Sequence, residues 1–306
     1  GASGGPLEFG ISGAIVKSYL EPWAKNVFVG IDAGTYMSGS SSLDPGYPLP
    51  SSSPSFSEHG SITPKTQLLG TGVMPFSSTL TNSAYVIREL VATVCITHAH
   101  LDHLSGFVIN SSCFTADNPK VLAGLPSVID AILKHVFNDI IWPNMTNEGD
   151  YPIGLITLRR LAELPTTTAP SKSSEELYVM PVDNSEEDNE GYEEIANGLE
   201  IRAYPISHGC VHKSGRPPKA FESSAFFVRD QRSGREILMF GDVEPDSISI
   251  SPRNLPIWTA AARKFGSTKL AAIFIECSYA SVQPETSLFG HLSSPFLIQE
   301  LKMFAN

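Results

Sequence analysis

The chain has 306 residues, 42% of them hydrophobic and 17% charged, which is enough to bury a sizeable core. No apolar run approaches the ~18 residues that cross a bilayer, and the opening GASGGPLEFG has neither the basic nor the apolar stretch of a secretory signal. The net charge of −11 is concentrated: nine acids against Lys172 between Ser171 and Glu194 contribute −8, leaving about −3 elsewhere. That balance argues against a broad basic nucleic-acid face but not against a polyanionic substrate.

Short apolar runs predict strands at 12–20, 26–32, 91–97, 119–125, 154–161, 199–207, 224–230, 236–242 and 270–277. Helical spacing predicts helices over 127–137, 255–266 and 294–304, with Ser127 and Ser294 as N-caps of the first and last. Two stretches read as inserted loops in a single domain over 1–306. One is the Ser/Pro-rich 38–57, with nine serines, and the other is the acidic 171–194. Many strands with helices late in each half predict an α/β sandwich and exclude a helical bundle. The chain lacks an initiator Met, so an upstream segment is open. Four cysteines without a C-x-x-C pair (Cys95, Cys113, Cys210, Cys277) are expected to be buried thiols in a reducing, cytoplasmic setting.

Chemistry concentrates at THAHLDHLSGF, residues 97–107, which holds three of the chain's 8 histidines. The run VATVCIT feeds directly into it, so a strand ends where the polar residues begin. Residues two apart in extended chain point the same way, so His98 and His100 face one point. A turn or helix start after them aims Asp102 and His103 at a second point nearby. Imidazole and carboxylate suit zinc and similar divalent ions, so H-x-H-x-D-H offers a pair of ligands to each of two metals. Further ligands are expected at other strand ends: His208 after LEIRAYPIS, Asp242 in FGDVEPD and His291 in LFGHLSS. Cys210, two residues from His208, is expected to pack rather than ligate. His59 is expected to face solvent and His135 to be structural.

THAHLDHLSG, His208, GDVEP and GHLS together resemble the metallo-β-lactamase superfamily of dinuclear metallohydrolases, and VGIDAG (29–34) resembles its early strand-end aspartate motif. H-x-H-L-D-H-L-S-G, GASGGPLE and IFIECSY more narrowly resemble the class II cyclic nucleotide phosphodiesterases. The resemblance implies an αββα four-layer sandwich with the site at one rim. It assigns His98, His100 and His208 to one metal and Asp102, His103 and His291 to the other, with Asp242 between them. Asp32 would support the ligand loop without binding metal. The implied cofactors are two Zn²⁺, with other divalent ions admissible.

The implied reaction is hydrolysis of 3′,5′-cyclic nucleotides, cAMP and also cGMP, to 5′-monophosphates by a hydroxide bridging the metals, which ends a cAMP signal. Asp102 and Asp242 are the catalytic carboxylates. His212, four residues after His208, is the candidate contact to phosphate or leaving group, and Glu276 the candidate carboxylate behind a ligand histidine. The tRNA 3′-processing enzymes of the superfamily carry His-Glu where this chain has Ile275–Glu276, which counts against that alternative. Other ester hydrolysis and a non-catalytic binding protein with a degenerate site are the remaining alternatives. The expected partner is a small-molecule cyclic nucleotide, not nucleic acid and not a membrane, with a homodimer left open.

Overall fold

The computed structural model describes residues 12–34, 84–163, 191–211 and 214–305. Its first sheet contains, side by side in chain order, β1 (Ala14–Val16), β2 (Phe28–Ile31), β3 (Val91–Cys95), β4 (Lys120–Gly124) and β5 (Ile156–Arg160). β1 is antiparallel to β2, and the other neighbours are parallel. Two helices, α1 (Leu101–Asn110) and α2 (Pro126–His135), connect β3 to β4 and β4 to β5. The second sheet follows as β6 (Glu193–Ala196), β7 (Leu199–Val211), β8 (Lys219–Asp230), β9 (Glu236–Phe240) and β10 (Leu270–Phe274), again in chain order across the sheet. Here β6 to β9 pair antiparallel and β9 pairs parallel with β10. α3 (Leu255–Gly266) joins β9 to β10, and α4 (Ser294–Ala305) follows β10.

The period-2 alternation of strand side chains divides the second sheet between two cores. From β7, Leu199, Ile201 and Ala203 join the larger cluster shared with β2 to β5, α1 and α2. Tyr204 and Ile206 join the smaller one with Trp258, Ile257 and Ala261 of α3. β8 divides likewise, with Phe226 and Val228 in the larger core and Ala225 and Phe227 in the smaller. Helices therefore cover the outer faces of two facing sheets, the expected αββα layering.

The strand directions bring chemistry to one rim. In the first sheet Asp32 follows β2 and His98 follows β3, at the carboxyl ends of parallel neighbours. In the second, Asp242 and Glu276 follow the parallel pair β9 and β10, and β7, which runs in the same direction as β9 because both pair antiparallel with β8, brings His208 to the same side. Carboxyl ends of strands are where α/β sheets place ligands.

The nine expected strands and three expected helices are present. Ser127 is not an N-cap: α2 starts one residue earlier, at Pro126, because proline's fixed φ suits the first helical position. Ser294 is the first residue of α4, also not a cap. Sequence spacing gave no helix for Leu101–Asn110 and no strand for Glu193–Ala196. Glu193 and Glu194, at the end of the acidic stretch, lie in β6, where Glu193 holds Arg159 of β5 at 2.9 Å. Residues 38–57 and 171–190, His59 and His212 lie outside the described residues. Of the cysteines only Cys95 is buried; Cys113, Cys210 and Cys277 are exposed. Among the described residues no helix is long and apolar enough to cross a membrane.

Candidate metal centre

The segment after β3 is shaped by Asp32. Its Oδ1 accepts hydrogen bonds from Thr97 N at 2.8 Å and Thr97 Oγ1 at 3.0 Å, and its Oδ2 accepts one from His103 Nδ1 at 2.7 Å. One carboxylate thus spans the turn from strand to helix. Asp32 has φ +55°, a left-handed conformation that aspartate tolerates better than most residues. α1 docks closely beside it: Ala33 N donates to His103 O at 2.7 Å and Gly106 N to Gly34 O at 2.9 Å. A Cβ on Gly106 would lie 2.7 Å from Ala33 O, so glycine is what permits this approach.

Asp242 lies at the middle of the cluster. Its Oδ2 is 3.3 Å from His103 Nε2, 3.7 Å from His291 Nδ1, 3.8 Å from His208 Nε2 and 3.9 Å from His98 Nε2. His98 Nε2 is 3.0 Å from His100 Nδ1. Three groups have all their ligand atoms within 4.8 Å of one another: His98–His100–His208, His98–His103–Asp242 and His208–Asp242–His291. Five of the chain's histidines and one aspartate are thus brought together from four separate strand ends and loops. Asp102 sits at the margin, its Oδ2 3.7 Å from His103 Nε2 and outside these three groups. Cys210 is in none of them, and exposed His135 ends α2 far along the chain from the rim segments.

Four of these rings are held through Nδ1, and for His291 that is also the nitrogen 3.7 Å from Asp242. His103 Nδ1 donates to Asp32, His208 Nδ1 to Gly290 O at 2.8 Å, and His291 Nδ1 to Glu276 Oε1 at 2.9 Å. Glu276 Oε1 also accepts from Val243 N at 2.9 Å, and Ser278 Oγ donates to Oε2. His98 Nδ1 meets Thr97 Oγ1 at 3.1 Å. His100 has a different support: its ring is stacked on Phe221, 4.4 Å between centroids and 20° between planes. Sequence reasoning found Glu276 but not Gly290 O or Phe221, because a backbone carbonyl and an aromatic contact across the sheet leave no local signal.

This arrangement fits divalent cations. His103 Nε2 is buried and makes no hydrogen bond that meets geometric criteria, its nearest polar neighbour being Asp242 Oδ2 at 3.3 Å. A buried imidazole nitrogen left bare while its partner nitrogen is held by a carboxylate is the pattern of a metal ligand. Protonation divides the rings: without a metal, three are held neutral and His103 is held charged. Burial, with neighbouring imidazoles, holds His98 well below the usual histidine range, and burial holds His100 down against the pull of Asp102. Burial pulls His208 down to about 4. Burial opposes charge on His103 too, but Asp32 and Asp242 outweigh it and raise the ring to about 10. For Asp242, burial disfavours ionisation, yet His103 and the other imidazoles keep its carboxyl below the usual range. Three neutral rings beside an ionised carboxylate are a donor set for zinc-like ions.

The structure thus has the expected αββα sandwich with a His/Asp cluster at the carboxyl rim of its strands. The chain belongs to the class II cAMP phosphodiesterases: the sequence model of that family ("cAMP phosphodiesterases class-II") matches residues 58–306. It is 30% identical to a 3′,5′-cyclic-nucleotide phosphodiesterase of Schizosaccharomyces pombe, over 98% of this chain and 72% of that protein. It is 31% identical to 3′,5′-cyclic-nucleotide phosphodiesterase 1 of Saccharomyces cerevisiae, over 74% of this chain and 54% of that protein. The fold resembles the crystal structure of unliganded yeast PDE1 with a TM-score of 0.69 and 25% identity, covering 99% of this chain and 80% of that one. The chain is an enzyme of this family, a cyclic-nucleotide phosphodiesterase.

Proposed function

We propose that the chain hydrolyses 3′,5′-cyclic AMP, and cyclic GMP, to the 5′-monophosphates with two Zn²⁺ ions at the strand rim. His98, His100 and His208 would hold one ion and Asp102, His103 and His291 the other, with Asp242 shared. When bound, such ions lower the pKa of water and neutralise charge on phosphoryl oxygens. In the net reaction water adds to phosphorus, the P–O3′ bond breaks, and a proton reaches O3′.

The chain's own residues support this in three ways. Asp32, Glu276 and Gly290 O fix three ligand rings in one tautomer, so donor atoms are in place before substrate arrives. Asp242 stays ionised beside four imidazoles and supplies the negative charge that a pair of cations needs. Asp102, in the first turn of α1 and partly exposed, is the carboxylate nearest solvent and is proposed as both ligand and proton acceptor. His212 is proposed as the donor to O3′, and it lies outside the described residues. Cys95, Cys113 and Cys277 are free thiols, consistent with the cytoplasmic site of action proposed here.

The observation that carries this reading is Asp242 Oδ2 within 3.3 to 3.9 Å of four imidazole nitrogens. Its test is product analysis: chromatography after incubation with cAMP or cGMP should give the 5′-monophosphate. Formation of the 3′-monophosphate, or no product from either, would contradict it.

A further inference from the structure

β7 breaks its pairing with β8 where it presents His208. The register shifts between Ser207 and Cys210, so His208 and Gly209 form a bulge, with Gly209 at φ +71°. A bulge takes backbone groups out of the ladder, and its shape decides where the side chain it carries points.

The loop between β9 and α3 holds this bulge. It begins with Asp242, the carboxylate at the middle of the cluster, and two residues later comes Glu244. Glu244 N donates to Ser207 O at 2.9 Å, and the Glu244 carboxylate accepts from the backbone N–H of Gly209. Ser207 and Gly209 flank His208, so one residue holds the chain on both sides of the proposed ligand. Ser207 Oγ adds a bond to Ser251 O of the same loop at 2.6 Å. Glu244 is itself fixed: Ser249 Oγ donates to its Oε1 at 2.5 Å and Asn254 Nδ2 to its carbonyl oxygen at 3.0 Å.

Glu244 is only 7% exposed, and among the described residues no lysine or arginine pairs with its carboxylate. Burying a carboxylate without a cation is unfavourable, and an apolar side chain would fill the space without that penalty. An apolar side chain offers no acceptor for the Gly209 N–H, however.

We propose that Glu244 is a positioning residue of the metal centre: by holding Ser207 and Gly209 it fixes His208 relative to Asp242, whose Oδ2 lies 3.8 Å from His208 Nε2. The proposal rests on the reading that the rim holds two ions, one of them through His208. Glu244 acts through its reach and its acceptor atoms, not through its charge.

Two variants separate reach from charge. Glu244→Gln keeps the length of the side chain and an acceptor oxygen for Gly209, and its amide can donate to Ser249. Glu244→Asp keeps the charge and loses one methylene of reach. Stepwise zinc affinities of the metal-stripped proteins are read by competition with a chromophoric chelator, beside cAMP turnover. Glu244→Asp should bind one zinc as the wild type does and the other about 10-fold more weakly, with turnover that falls at limiting zinc and recovers in excess. Glu244→Gln should match the wild type at both steps. If Glu244→Asp does not fold, Ser249→Ala, which only frees the carboxylate, should weaken the same single step by about three-fold. Loss in Glu244→Gln with none in Glu244→Asp would assign the effect to charge and overturn the proposal. Unchanged affinities in every variant, or an equal fall at both steps, would overturn it as well. A wild type that binds fewer than two zinc ions overturns the metal-pair reading itself, and this proposal with it.

Discussion

Asp32 holds His103 by a 2.7 Å hydrogen bond from Nδ1 to Oδ2 while its other oxygen holds Thr97, just before His98. The carboxylate thus ties together the two ends of the segment that carries four proposed ligands. Replacing Asp32 by Asn keeps the tolerance for positive φ but removes the charge and one acceptor. Zinc affinity, read by competition with a chromophoric chelator, is expected to fall about 10–100-fold in Asp32→Asn. Unchanged affinity would show that Asp32 only shapes the backbone.

Phe221 does for His100 what carboxylates and a carbonyl do for the other rings. Phe221→Ala should free the imidazole and weaken zinc binding by about 2–10-fold, the worth of an aromatic pair. Phe221→Tyr retains the stacked ring and should restore it. Isothermal titration of both metal-stripped variants checks this.

The loop carrying His291 touches the bulge in β7 at two glycines. Gly290 has φ +86°, and a Cβ there would lie 2.6 Å from Gly209 N and from His208 C. No side-chain rotation relieves a clash with backbone. Gly290→Ala should destabilise the protein by about 2 kcal/mol or more and separate His208 from the Gly290 carbonyl. Thermal unfolding measures the loss.

Lys120, buried at the start of β4, donates to Val91 O at 2.7 Å, and burial pulls its amine down to about 8 against the attraction of Glu89. The folded pKa lies below the unfolded one, near 10.5, so folding favours the neutral amine. The cost of burying the cation is full below pH 8 and is relieved as pH rises from about 8 toward 10.5. Wild-type stability should therefore rise relative to Lys120→Met across that window, in denaturant titrations at fixed ionic strength.

Much of this architecture was legible because burial writes itself into local pattern. Strands such as VATVC and EILMF are mostly apolar where they are buried, Thr93 and Glu236 being the polar exceptions, and the helix at 255–266 shows its buried stripe of Ile257, Trp258 and Ala261. The ligand candidates were legible because His98, His100 and His103 are crowded into one strand-end segment and His208, Asp242 and His291 follow apolar runs. α1 was not, since its first turn carries the proposed ligands Asp102 and His103, whose order is set by chemistry rather than helical period. β6 was hidden by charge: Glu193 serves as a partner for Arg159, which alternation of apolar residues cannot reveal. Phe221 and the Gly290 carbonyl act across long sequence separations, where a single sequence carries no record of contact.

The central claim, cleavage of a cyclic nucleotide at a metal pair, is tested most directly by cAMP turnover before and after metal stripping and zinc restoration, with metal counted in the same samples. The account predicts about two zinc ions per chain, 5′-AMP formation that disappears on stripping, and its return as the second ion is restored. Full activity in the stripped protein, or a chain loaded with two ions that leaves cAMP intact, would contradict it.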